Sequence, residues 1–509
     1  MILQITNIIV VVILLITYLI NTLYVIRYVQ NDNYHLRSIR TILINDIKKR
    51  SYIFTLLMFI FVKKNILINT TIILLSLIII LENLRKNTLK LKITKRLLRL
   101  LGIDLLINSL VFLFQPFLVG LLLINTFYLL TTFFAIFISN LIEKLLLKKY
   151  IKQATQKLIK YDPNVIAITG SCGKTSVKNY IYECLNDELI LYKSPKSYNT
   201  LVGLLITINN NLRSYDNTFI LEMGLSHKND IKKITKVIKP NISIITEILP
   251  SHLETMKTID NIIDEKMQII KNTKPNGLII INNDNEYIKN NINKYNINNN
   301  KIIKIGFNKE NDYYCKDYII KKDGLIFDLI DNTTKKQYNI ESKLIGKHNI
   351  FNILITFAIL KYYRIDEKLI ISKLSNLENY ENRLEIKKIN KLTILNDSYN
   401  SNINGFINAL EVLSLYETNK YIITPGIVES GKENKNQIKI LAKKISQICD
   451  FCYLIDNKNT KEFVKQFKEI NYNKYIIKKS FFEAFEEVKN KEITLLIEND
   501  LTDFYLSKK

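Results

Sequence analysis

The sequence predicts an α-helical membrane region followed by an α/β part, and three observations carry that expectation. Residues 1–150 contain long runs without a charged side chain. After Lys160 the pattern changes to short β-branched segments alternating with helical stretches. At the first of these changes a glycine-rich turn separates strand from helix.

Ile2 to Ile26 is uncharged and long enough for a bilayer, which takes ~20 residues. It lacks the basic start and small-residue cleavage site of a signal peptide. Tyr52 to Val62 and Ile66 to Leu81 follow, separated by Lys63, Lys64 and Asn65. Leu105 to Ile142 is uncharged throughout and too long for one span, so a hairpin broken at Gln115-Pro116 is expected. Basic stretches at Arg27 to Arg50, Arg85 to Arg99 and Lys144 to Lys152 then share the cytoplasmic side if about five helices cross, with the N-terminus outside. The expected location is therefore the cell membrane, multi-pass, with the catalytic part cytoplasmic and the membrane itself a partner.

The chain has 509 residues, enough for about three domains, and a formal charge of +25. Residues 1–150 hold 18 Lys and Arg against 5 Asp and Glu, so half of the excess flanks apolar runs. With no basic and aromatic RNA motif elsewhere, nucleic acid is not expected as a partner. Five cysteines are scattered, and Cys449 and Cys452 form a C-x-x-C pair without the second pair a zinc site needs. Reduced structural thiols are expected.

Val165 to Thr169 reads as a strand, followed by Gly170, Ser171, Cys172, Gly173, Lys174, Thr175 and Ser176 and then a helix. Such a turn aims backbone N–H groups and a helix N-terminus at phosphate. A lysine there reaches the terminal phosphates, and a threonine hydroxyl binds Mg²⁺. ATP and Mg²⁺ are therefore the expected cofactors of a P-loop central ATPase domain. Ile168 stands where the general P-loop spacing has its first glycine. Downstream, Thr218 to Gly224 is an apolar strand ending in Glu222, an acid able to face the metal held by the loop.

The shortened loop T-G-S-C-G-K-T-S resembles that of the Mur ligases and the related folylpolyglutamate synthetases. The resemblance covers roughly residues 160–509. Glu222-Met223-Gly224, the stretch from Ser197-Tyr198-Asn199 through Gly203, and Asn396-Asp397-Ser398-Tyr399-Asn400-Ser401-Asn402 are similar to the D-alanyl-D-alanine-adding members of that family. The resemblance implies that Glu222 is a metal ligand and that His252, in Ser251-His252-Leu253-Glu254, binds a second Mg²⁺. It implies a carbamylated Lys266, with Lys174, Glu222, His252 and Lys266 as the catalytic set. Glu247 stands where the family has Asn.

Gly346-Lys347-His348-Asn349-Ile350-Phe351-Asn352 is similar to the family's G-x-H-N-x-x-N, which implies that Asn349 contacts adenine. Arg383, in Asn382-Arg383-Leu384-Glu385, is implied to complement ATP phosphates, and Asp397 to be the nucleotide-side acid. Asn199, Tyr399, Asn400 and Asn402 are the implied substrate contacts. Glu498-Asn499-Asp500 stands in place of a Lys-Gly-Ser-like element. The implied layout is a membrane region at 1–150, a central ATP-binding domain at 155–380 and a Rossmann-like C-terminal domain at 383–509, with no room before Val165 for the family's UDP-sugar-binding domain.

The implied reaction is ATP-dependent addition of D-Ala-D-Ala to a muramyl tripeptide, UDP-MurNAc-tripeptide, through an acyl phosphate, with other cell-wall synthesis proteins as partners. A ligase or amidating subunit acting on a lipid-linked precursor is the alternative within the family. A membrane transporter or scaffold with a regulatory ATPase-like domain is the alternative from another class, and the complete Lys174, Glu222, His252 and Lys266 set disfavours it.

Overall fold

The computed structural model describes residues 2–31, 34, 76–77, 91–114, 117–195, 198–251, 253–295, 299–399, 402–427 and 434–499. The chain divides into two compact units, Met1–Lys149 with Thr502–Lys509, and Tyr150–Leu501.

In the first unit the described helices are Ile2–Asn31, Lys95–Phe114 and the start of Phe117–Tyr161. Val25, Ile26, Leu97, Leu100, Tyr128 and Ile136 meet in a common apolar core. Arg99 pairs with Glu143, and the Arg96 guanidinium lies 4.0 Å from the Tyr34 ring centroid. The expected break at Gln115-Pro116, the run Tyr52 to Val62 and, apart from Ser76 and Leu77, the run Ile66 to Leu81 lie outside the described residues. Lys144 to Lys152, the expected basic flank, continues the helix Phe117–Tyr161 beyond the uncharged run that ends at Ile142.

Among the described residues two helical stretches are apolar and long enough to cross a membrane, Ile8–Asn31 and Val119–Tyr161. More than half of the second one's apolar window is buried against protein. Buried core helices of soluble proteins share that apolarity, so length and composition alone do not place these helices in a bilayer.

The second unit holds two mixed sheets. The strands of the first are β1 (Asn164–Thr169), β2 (Leu191–Lys193), β3 (Thr218–Glu222), β4 (Ile242–Ile245), β5 (Leu278–Asn282), β6 (Lys301–Gly306), β7 (Tyr313–Lys321), β8 (Gly324–Asp331) and β9 (Lys336–Ser342). They run in the order β2-β3-β1-β4-β5-β6-β7-β8-β9, parallel through β7 and antiparallel from β7 to β9. Burial follows connectivity. β3, β4 and β5 are buried at every residue because helices cover both faces, whereas β9 alternates exposed and buried side chains.

The second sheet comprises β10 (Glu385–Ile389), β11 (Leu392–Asp397), β12 (Lys420–Thr424), β13 (Phe451–Ile455), β14 (Tyr475–Lys478) and β15 (Thr494–Glu498). Its order is β10-β11-β15-β12-β13-β14, parallel except for the β10–β11 hairpin. Leu395, Leu496, Ile422 and Leu454 pack on Phe406, Leu410 and Leu441 from its helices. All five cysteines are free, and Cys449 and Cys452 are buried in this layer.

Candidate active site

β1 lies between β3 and β4, so the carboxyl ends of these three parallel strands open into one crevice, the usual ligand position in open α/β sheets. The turn after β1 is specified by two glycines. Gly173 has φ +77°, a left-handed conformation that costs glycine nothing. At Gly170, with φ +155°, a Cβ atom would lie 1.8 Å from Thr246 Oγ1. The helix Lys174–Leu185 starts immediately after this turn. Ser171 accepts from the Leu249 N–H at 2.9 Å, tying the loop to the segment after β4.

Lys174 Nζ donates to the Gly170 carbonyl at 2.7 Å. Burial pushes its ammonium pKa down, opposed by Glu222. Ile168 pairs in register with Glu222, which places that carboxylate beside the loop. Glu222 Oε2 accepts from Thr175 Oγ1 at 2.9 Å, and Oε1 accepts from Lys178 Nζ at 3.1 Å. These are hard oxygen donors of the kind Mg²⁺ takes, with few carboxylates and room for phosphate.

Lys266 projects from the helix Ile259–Lys271, whose N-terminus Thr258 caps by accepting from the Asn261 N–H. The side chain is 2 % exposed. Burial, then the neighbouring Lys174, push its pKa well down, while Cys172 and Glu247 oppose the shift. Cys172 donates its thiol to Glu247 Oε2 at 2.7 Å, and burial raises the thiol pKa well above its ordinary value. Asn404 donates to the other oxygen, Oε1, at 3.0 Å. His252 lies outside the described residues.

A cavity of about 430 Å³ opens beside the loop. Cys172, Gly173, Ser176 and Thr246 line it from the first sheet's side, and Arg383, Asp397 and Asn402 from the second's. Tyr318, Lys347, His348, Phe351 and Asn352 form another wall. Lys347 Nζ sits 5.0 Å from the centroids of both Phe307 and Tyr318. Desolvation, and secondarily the Arg383 charge, lower the His348 pKa to about 4.

Asn349, expected at adenine, is not among these wall residues. It is 2 % exposed, donates to the Ile345 carbonyl at 2.8 Å, and accepts from Asn352 Nδ2 at 2.8 Å. The cause is helical spacing: His348, Phe351 and Asn352 share one face of the helix His348–Tyr362, and Asn349 turns away from it.

The Arg383 guanidinium lies 4.0 Å from the Tyr399 ring centroid. Asn382 has φ +60°, a conformation that glycine and asparagine tolerate, so Asn in place of the family's Gly preserves this turn. Asp397 ends β11 and accepts from the Leu384 N–H at 3.2 Å. Burial raises its pKa to about 6, against the pull of Arg383. Asn402 caps the helix Ile403–Ser414 by accepting from the Gly405 N–H at 3.0 Å. Asn199 accepts from the Gly224 N–H through its carbonyl at 2.8 Å, and Asn400 lies outside the described residues. Lys178, Thr246, Tyr318 and Asn404 are site residues the motifs did not single out, whereas His348 and Asn352 were quoted in a motif without being given a role. Lys178 stands at helical spacing from Lys174, and Thr246 and Tyr318, at a strand end and within a strand, carry no comparable signal.

Residues 168–360 match the Mur ligase middle domain. Around it, the chain is 32% identical over 282 residues to the UDP-N-acetylmuramoyl-tripeptide--D-alanyl-D-alanine ligase (MurF) of Buchnera aphidicola subsp. Baizongia pistaciae, covering 55% of this chain and 60% of the relative. It is 29% identical to that of Bacillus subtilis, covering 52% and 57%. The chain thus spans about three fifths of the length of these curated relatives. The fold matches MurF from Acinetobacter baumannii with TM-score 0.62 at 17% identity, covering 71% of this chain and 80% of that one. It matches MurF of Thermotoga maritima in complex with ADP with TM-score 0.60 at 21% identity, covering 69% and 80%. The architecture around the middle domain is accordingly Mur ligase-like, with mixed sheets.

These relatives correct one expectation. MurF ligases are soluble cytoplasmic enzymes, and two apolar helices carry little weight against that. The multi-pass cell-membrane placement read from the sequence is withdrawn.

Proposed function

We propose that the chain is an ATP-dependent carbon–nitrogen ligase of peptidoglycan precursor synthesis that adds D-Ala-D-Ala to UDP-MurNAc-tripeptide. One observation carries the reading: Lys174, Thr175, Glu222 and Lys266 gather at the carboxyl ends of β1 and β3, beside a cavity whose far wall holds Arg383 and Asp397. In this reading residues 155–380 are a P-loop ATPase domain and 383–509 a Rossmann-like domain.

The tripeptide carboxylate oxygen attacks the γ-phosphorus, the bond to the bridging oxygen breaks, and ADP leaves. The amine of D-Ala-D-Ala then attacks the acyl carbon, phosphate leaves, and the amine's proton passes to solvent. Carboxylate and γ-phosphate are both anionic, so the site must offset charge where they meet. Lys174 does so at the terminal phosphate, and Arg383 adds a planar donor from the other side. Mg²⁺, held by Thr175 and Glu222, supplies further charge neutralisation when bound. By the resemblance, His252 serves a second ion.

Lys266 fits carbamylation because its environment favours the neutral amine. That amine adds carbon dioxide: an N–C bond forms, one N–H proton leaves, and a carbamate replaces a cation beside Lys174. Tyr318 and Phe351 give a purine an aromatic wall, with His348 and Asn352 as its polar contacts.

The test is an assay of the full chain with ATP, Mg²⁺ and D-Ala-D-Ala, offering UDP-MurNAc-tripeptide and its lipid-linked equivalent in separate reactions. Product mass increased by the dipeptide with the nucleotide-linked acceptor supports the proposal. Product from the lipid-linked acceptor alone, or from neither, overturns it.

A further inference from the structure

Lys178 lies one helical turn beyond Lys174, on the same face of the helix Lys174–Leu185. A lysine repeating at that interval ordinarily points to water, yet this side chain is 1% exposed. Its ammonium donates to Glu222 Oε1 at 3.1 Å and to the Ser194 carbonyl at 3.0 Å. Thr175 holds the other carboxylate oxygen, Oε2, at 2.9 Å. The two oxygens of Glu222 are thereby divided between a fixed cation and the hydroxyl at the start of the helix.

Such burial is costly. An ion pair removed from water contributes little net stability compared with an apolar pair of the same shape, so stability alone does not account for it. Geometry accounts for more. Lys174 also lies within the field of Glu222. A carboxylate free to rotate would turn to that second ammonium and divert it from phosphate. Lys178 supplies a permanent partner on the side away from the cavity.

We propose that Lys178 is a positioning residue: it anchors Glu222 by Oε1, keeps Oε2 turned towards Thr175 for a divalent cation, and leaves Lys174 free for phosphate. This deepens the reading of the site as a Mg²⁺–nucleotide site and rests on it.

Calorimetric titration of the full chain with ADP, with and without Mg²⁺, tests the proposal without relying on turnover. The quantity of interest is the gain in ADP affinity that Mg²⁺ produces. Lys178→Met, similar in length and uncharged, is expected to reduce that gain about tenfold or more, the usual cost of losing a group that orients a metal ligand. ADP affinity without Mg²⁺ should change much less. Lys178→Met combined with Glu222→Gln should equal Glu222→Gln alone, because the lysine acts through that carboxylate. Lys178→Leu, which likewise removes the donor, replaces Lys178→Met if circular dichroism shows the latter unfolded. An undiminished Mg²⁺ gain, equal losses with and without Mg²⁺, or additive losses in the double variant overturn the assignment. If the unsubstituted chain shows no Mg²⁺ gain at all, the nucleotide-site reading fails and takes this inference with it.

Discussion

The two sheets contribute to the cavity in different ways. The nine-stranded sheet supplies lysines whose positions follow from strand register and from the turn after β1: Lys174 on one helix, with Lys178 behind it, and Lys266 on another. The six-stranded sheet supplies Arg383 and Asp397 from its edge hairpin, one stacked on the half-exposed Tyr399 ring and the other bonded to a backbone N–H in a left-handed turn. Groups of the first kind are fixed by the fold's core. Those of the second depend on a turn and a ring contact, so they tolerate change better. Substitutions in the first sheet should therefore cost more than substitutions in the second.

The largest expected effect is at Lys174. Lys174→Ala should lower ligation at least about a hundredfold in a steady-state assay, with an unaltered circular dichroism spectrum, because the charge offset at the transferred phosphate is lost. Near-normal turnover would remove the basis of the comparison. Lys266→Ala should be nearly as inactive, and acetate should restore part of its rate by supplying a carboxylate in the vacated space. Lys266→Arg should stay inactive, since it keeps a positive charge. Wild-type rate in Lys266→Arg would make the lysine an ordinary cation.

Arg383→Lys should cost about tenfold in kcat/KM, because a point charge replaces a planar fork that also stacks on Tyr399. A loss as large as that of Lys174→Ala would erase the contrast between the sheets. The smallest effect concerns pH. Asp397 titrates at about 6 in the folded chain against 3.8 ordinarily. The folded state therefore binds this proton more tightly than the unfolded one. Its contribution favours folding below about pH 4 and is lost as pH rises to about 6, by at most ~1.4 kcal/mol per unit. Urea unfolding across that range should show a shallower fall in Asp397→Asn than in the unsubstituted chain.

The glycine turn, Glu222 and the flanking strands were legible in the sequence because their chemistry depends on spacing within a few residues. Asn382 was legible as a departure, and its positive φ explains why asparagine serves there. The burial of Asn349 was not legible, because motif order does not say which face of a helix lines a cavity, and the residues one before and three after it do so here. Lys178 was illegible because nothing local separates a buried helical lysine from a solvated one; only the packing of β2 and β3 does. The membrane expectation failed for a related reason. Apolar length measures what a helix avoids, and a protein core satisfies it as well as a bilayer does.

The Glu247 carboxylate takes the thiol of Cys172 from the loop and the amide of Asn404 from the first turn of the opposite helix. This side chain thus ties the loop after β1 to the start of the helix Ile403–Ser414 across the cavity. Parting them would strip a carboxylate of one of its two donors, a loss of roughly 1–3 kcal/mol. Asn404→Ala is expected to weaken this tie without altering any group proposed to meet phosphate.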